Sequence, residues 1–254
     1  WKDESGAMSP FYAEEFSPKW GSTQVNVIAN IALQGTMQSA AYIDPRFAAW
    51  YNKSDNGEYT GGVSGSNFSK SSKYKASYWC RPNASYDMPV YLISLFETKF
   101  FIAEYYAKKG DSINAKQYYN DAIRASFAQA GVDGAEDCIK AYPYDSQNYK
   151  KSIGIAKWVA LAGCNNFEAY CELRRLGYPA FGDKQGSDLY DGVSDNSYKP
   201  SEYVPGTLYT PYQVFGQVGS KKLLQRWPYP ESSTSRNSNA PQFKGYTTPI
   251  FWVR

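Results

Sequence analysis

Two amphipathic stripes at helical spacing, each followed by a short turn, constrain this chain more than any other feature. Over residues 90–109 the apolar positions Leu92, Phe96, Phe100, Ala103 and Ala107 recur on one side of a helix. Glu104 and Lys108 stand four apart in the favourable order. Gly110 stops the helix, and Asp111 or Ser112 can cap the next one. Residues 113–128 then carry Ala115, Tyr119, Ala122 and Ser126 on one face. Helices joined by so short a turn lie antiparallel.

A second hairpin follows. Residues 148–162 are amphipathic around Ile153, Ala156, Trp158 and Leu161, and Gly163 ends them. Asn165 or Asn166 caps a shorter helix that runs to Leu176 and closes at Gly177 and Pro179. In the first hairpin, Ala103 and Tyr106 before the turn and Ala115, Tyr119 and Ala122 after it follow the small-and-aromatic spacing of tetratricopeptide repeats. Lys99 and Phe127 depart from that pattern. A lone hairpin cannot bury its face, so the two are expected to stack side by side. The fold class expected is mainly α: tetratricopeptide-like hairpins over 90–176, with long irregular, aromatic-rich loops in 1–89 and 177–254.

Outside the hairpins the signals are weaker. Residues 25–37 could form a helix weakened by Gly35, and Asp44-Pro45-Arg46 reads as a turn. Residues 53–72 are rich in Gly, Ser and Asn and suit a loop or a loop-tipped hairpin around Gly61-Gly62. Arg226-Trp227-Pro228-Tyr229-Pro230 opens an extended tail.

Composition excludes several functions. The chain of 254 residues has 27 basic and 24 acidic side chains and no basic run, so nucleic acid is not an expected partner. It contains no His, which removes Ser-His-Asp and Cys-His catalysis and the commonest zinc ligand. Cys80, Cys138, Cys164 and Cys171 lack metal-ligand spacing, and free thiols or one incidental disulfide are expected. Asp183, Asp188, Asp191 and Asp195 share a loop without the regular spacing of an EF-hand, and a solvated acidic loop is the expectation. No metal or cofactor is expected. No apolar run reaches transmembrane length. The 24 Tyr and 7 Trp exceed what a core usually needs.

Three segments resemble the SusD/RagB family of outer-membrane glycan-binding lipoproteins. The first is 96–130, with Glu97, Ala103-Glu104, Ala107, Ala115, Tyr119-Asn120 and Ala122-Ile123. The second is 153–179, where Lys157-Trp158 precedes Glu168-Ala169-Tyr170, Glu172, Arg174-Arg175 and Gly177-Tyr178-Pro179. The third is Arg226-Trp227-Pro228-Tyr229-Pro230-Glu231 with Asn237 and Asn239. Asp44-Pro45-Arg46 followed by Gly57, Tyr59 and Gly61 resembles the SusD-like type 2 branch. The resemblance implies one SusD-like domain over 1–254, a carboxyl-terminal portion, which binds an oligosaccharide or polysaccharide at the cell surface and is not an enzyme. It further implies delivery to a SusC-like TonB-dependent transporter, and an outer-membrane lipid anchor on a segment absent from this chain. The motif residues themselves are expected to hold the fold together.

The resemblance implies a ligand held on loop aromatics with planar polar groups beside them, because rings stack on a sugar's apolar face while amides and guanidinium groups read its hydroxyls. The expected site residues are Trp50, Tyr51, Tyr59, Tyr78, Trp79, Arg81 and Asn83, with Trp50, Tyr59 and Trp79 as an aromatic platform. Tyr74 and Tyr86, and the polar Asn52, Asp55 and Asn56, are further loop candidates. A glycosidase would need two carboxylates across the scissile bond, and no spacing singles out a pair among Glu14, Glu15, Asp87 and Glu97. A tetratricopeptide scaffold that binds peptide would stack many similar repeats, and this chain has two unequal hairpins.

Overall fold

The structure, a computed structural model, describes residues 1–17, 27–66, 78–192, 194, 196–212 and 218–251. Its centre is the pair of hairpins. Helix α4 (Leu95–Lys108) and helix α5 (Ser112–Ala130) form the first, and α7 (Tyr149–Leu161) and α8 (Asn166–Leu176) the second. Asp111 caps α5 through the Asn114 amide, and Asn165 caps α8 through the Glu168 amide. The seam of the first hairpin is the expected one: Phe96, Phe100 and Ala103 meet Ala115, Tyr119, Ala122, Ile123 and Phe127, all buried. Small residues let the helices approach, and the rings fill the space beside them, with Phe100 edge-on to Tyr119. The hairpins meet through α4 and α7, and Ile153, Ala160, Leu161, Ala169 and Leu176 extend the same core.

Buried charge clamps the hairpins together. Lys157 on α7 is 1% exposed, its Nζ lying 3.0 Å from Glu172 and 3.3 Å from Glu97 and over the Phe101 ring. Arg175 donates to both carboxylate oxygens of Glu104, at 2.7 and 2.6 Å, and of Glu172, both at 2.7 Å. Lys108 adds the expected contact to Glu104 at 2.7 Å. Burial pushes the Glu104 carboxyl up, but hydrogen bonds from Arg175 and Lys108 outweigh it and hold it at about 2. The motif residues Glu97, Glu104, Lys157, Glu172 and Arg175 therefore join α4, α7 and α8. Arg174 faces the other way and donates to the Gln225 carbonyl, which docks the tail on α8.

Several expectations are corrected. Helix α4 starts at Leu95, not at residue 90, and Leu92 is 89% exposed, because the chain enters the helix from extended backbone at Ser94. Helix α6 (Ala135–Ala141) stands between the hairpins where no helix was expected; Cys138 anchors it in the core. Asp44-Pro45 does not form a turn. Asp44 is extended, accepts from the Arg46 amide as N-cap, and Pro45 opens helix α3 (Pro45–Trp50).

The amino-terminal third is built from α1 (Pro10–Glu15), α2 (Ile31–Met37), α3 and a two-stranded antiparallel ribbon, β1 (Tyr51–Asn52) and β2 (Arg81–Pro82). Of the loop or loop-tipped hairpin expected over 53–72, the described residues 53–66 form a loop, in which Gly62 makes a parallel bridge to Asn30. Gly61 is required there, since a Cβ would stand 2.6 Å from the Ile31 Cα. Beyond α8, strands β3 (Phe181–Gln185) and β4 (Leu208–Thr210) pair in parallel around the short α9 (Gly186–Leu189). Helix α10 (Glu231–Thr234) lies in the tail. Two further clusters hold the loops, one around Trp79, Leu189 and Tyr190 and one around Phe47, Tyr51 and Cys80. Trp158 packs against all three clusters.

Candidate functional site

A cleft of about 380 Å³ opens where four elements converge: the end of α3, the loop after β2, and the ends of α5 and α7. Trp50 forms one wall. Its ring lies across Gly163, at which a Cβ would meet the indole at 2.2 Å, so only glycine admits the ring in this pose. The pairing of β1 with β2 carries residue 83 back to residue 50: the Asn83 amide donates to the Trp50 carbonyl at 2.7 Å. Ser85, Asp87 and Tyr91 continue the loop wall, and Gln129 of α5 faces them. The Ser85 hydroxyl donates to Asp87 at 2.6 Å. Cys164 also lines the cleft, and burial pushes its thiol up to about 11, so it adds no charge at neutral pH. Aromatic rings with hydroxyl, amide and carboxylate groups beside them are the chemistry that holds a polyol.

The structure brings Trp50 and Asn83 together but separates the other expected site residues. Trp79 is 1% exposed and packs edge-on to Tyr78, Tyr190 and Tyr198, so the three-ring platform is not formed. Tyr51 is buried and stacked on Phe47 with centroids 4.8 Å apart. Tyr51 opens β1, whose alternation turns it inward and Asn52 outward, whereas Trp79 precedes β2 and is enclosed by the Leu189 and Tyr190 cluster. Tyr59 is half-buried, edge-on to Phe47, with Lys53 above it. Tyr78 belongs to the Trp79 cluster. Arg81 donates to the Glu15 carbonyl at 2.9 Å and lies over Phe16. Asn52, Asp55 and Asn56 are exposed away from the cleft lining, Tyr86 is exposed on the loop, and Tyr74 lies outside the described residues.

Tyr91, Ser85, Gln129 and Gly163 were not singled out as site residues from the sequence. Gly163 read as a helix stop, which it also is. Gln129 had no local signal, because its place depends on how α5 meets the loop.

A second cavity, of about 270 Å³, lies between α2, α5, α6 and α7. Met37, Ile123, Ala156 and Val159 make it mostly apolar, and none of the expected site residues lines it. Among the described residues, no group of three or more acidic or thiol side chains could hold a metal ion. In the acidic loop, Asp183 pairs with Lys221 at 2.5 Å, Asp188 accepts from the Gln185 amide and Asp191 from Ser194 and Ser197. Asp195 lies outside the described residues. All four cysteines are free thiols, two of them buried. No helix among the described residues is long and apolar enough to cross a membrane.

Comparison with known proteins places these observations. Residues 27–201 match the model of the SusD-like 2 family, described as starch-binding and associating with the outer membrane. A SusD homologue from Bacteroides uniformis ATCC 8492 superposes with a TM-score of 0.64 at 22% identity, covering 89% of this chain and 49% of the homologue. A SusD homologue from Bacteroides thetaiotaomicron VPI-5482 gives 0.63 at 19% identity, with 89% and 51% covered. The chain thus shares their fold and spans about half the length of these homologues. None of the curated proteins compared with the sequence matches it.

Proposed function

The chain belongs to the SusD-like family, and on that premise we propose that it binds glycan in the Trp50 cleft and passes it to a SusC-like TonB-dependent transporter at the outer-membrane surface. The observation that carries the reading is the convergence of the Trp50 ring with Asn83, Ser85 and Gln129 in one open cleft. The ring stacks on a sugar's C–H face while the polar groups meet its hydroxyls. The cleft is at the small end of the range for ligand sites, so it grips a short stretch of a longer chain.

The same geometry supports binding over hydrolysis. Glycoside hydrolysis uses two carboxyl groups on either side of the bond, and Asp87 is the one carboxylate among the described residues that line the cleft. A lipid anchor on a segment outside this chain remains part of the proposal.

Trp50→Ala tests it. One stacked ring contributes on the order of 1 kcal/mol, so glycan affinity should fall by roughly tenfold or less. Calorimetric titration of the variant and the parent with starch and plant oligosaccharides reads this directly. Unchanged affinity would move the ligand out of this cleft.

A further inference from the structure

Three helices end at the cleft. Helix α3 finishes at Trp50, α5 at Ala130 and α7 at Leu161, two residues before Gly163. The carboxyl end of a helix carries partial negative charge on its last carbonyls. Asp87 adds a full negative charge from the facing loop. No Lys or Arg is among the described residues lining the cleft. The nearby cations are engaged elsewhere. Arg46 lies behind the Trp50 ring, 5.8 Å from its centroid, and over Phe127, but its charge is already paired with Asp44 at 2.6 Å. Arg81 is held by the Glu15 carbonyl and Phe16.

Resting on the glycan reading above, we propose that this cleft selects uncharged sugars and rejects glycans that carry carboxylate or sulfate groups. A neutral sugar offers hydroxyl donors, which suit the Asp87 carboxylate and the side-chain carbonyls of Asn83 and Gln129. A uronate brought to the same ring sets its charge against Asp87 and the helix ends. No Lys or Arg among the described lining residues offsets that repulsion or the loss of hydration on entering the cleft, and Arg46 behind the ring is already neutralised by Asp44. A ring flanked by acceptors thus discriminates by charge without any contact specific to one sugar.

The test uses matched ligands. Malto-, cello- and galacto-hexaose are each titrated against the intact chain beside their C6-carboxylated counterparts, at low and at high salt. For whichever backbone binds, the neutral form should bind about tenfold tighter or more at low salt, and the gap should narrow as salt screens the repulsion. Asp87→Asn should narrow it further by raising affinity for the carboxylated form, with melting unchanged. Equal or tighter binding of the carboxylated chains would overturn the selectivity while leaving the glycan reading standing. A gap that ignores both salt and Asp87→Asn would overturn its electrostatic cause. If no member of either series binds, the glycan reading fails and the selectivity with it.

Discussion

Trp50 and Trp79 look alike in the sequence, since both are large rings beside Gly-, Ser- and Asn-rich segments. The fold separates them. Trp79 is enclosed by Tyr190 and Tyr198, more than a hundred positions later, and no local pattern announces that contact. Trp79→Ala should therefore cost about 3–5 kcal/mol of stability, as large-to-small core changes do. Urea unfolding reads this, and a loss under about 1 kcal/mol would return Trp79 to the surface. Lys157 gives the opposite lesson. As one of the motif residues it was expected to hold the fold together, but nothing local says that it would be the most enclosed charge of the clamp. Its burial is intelligible only once Glu97 and Glu172, from two other helices, stand around it.

At the scale of elements the hairpins were legible because their signals are local. Apolar spacing, Gly110, Asp111 and Asn165 each act within a few residues, and the helices stand where those signals put them. The start of α4 was not legible, because Leu92 continues the apolar spacing without a partner to bury it, and α6, seven residues with one buried side chain, is too short to show a period. The clamp between hairpins makes a prediction about acid. Glu104 has a folded pKa of about 2 against an ordinary 4.5. Its contribution to stability is complete above 4.5 and is lost as pH falls toward 2. Glu172 is lowered too, burial being outweighed by Arg175 and Lys157, so it acts in the same direction. Urea midpoints measured against pH should fall steeply in that window, and Glu104→Gln should flatten the slope. A parent curve that stays level down to pH 2 would remove the clamp from the stability of the fold.

At the scale of the whole molecule, Trp158 touches all three apolar clusters and so ties the helical hairpins to the packing beneath the loops. The candidate cleft was half legible. Trp50 and Asn83 were named from composition, but their meeting depends on a ribbon of two residues a side, too short for any sequence period. The proposed transporter partner belongs to this scale as well. Intact lipoprotein carrying this chain should recover a TonB-dependent barrel when purified from outer membranes in mild detergent; recovery without any barrel would retire that part of the reading. The division of labour between ribbon and clamp has a consequence for variation among related chains. The cleft's outer wall, residues 83–91, is held by the ribbon and by the Ser9 amide, which donates to the Tyr86 carbonyl, and shares no side chain with the buried ion pairs. That wall can be rewritten, lengthened or exchanged while the helical scaffold keeps its stability, so on the proposed glycan reading the ligand taken can drift at little risk of misfolding.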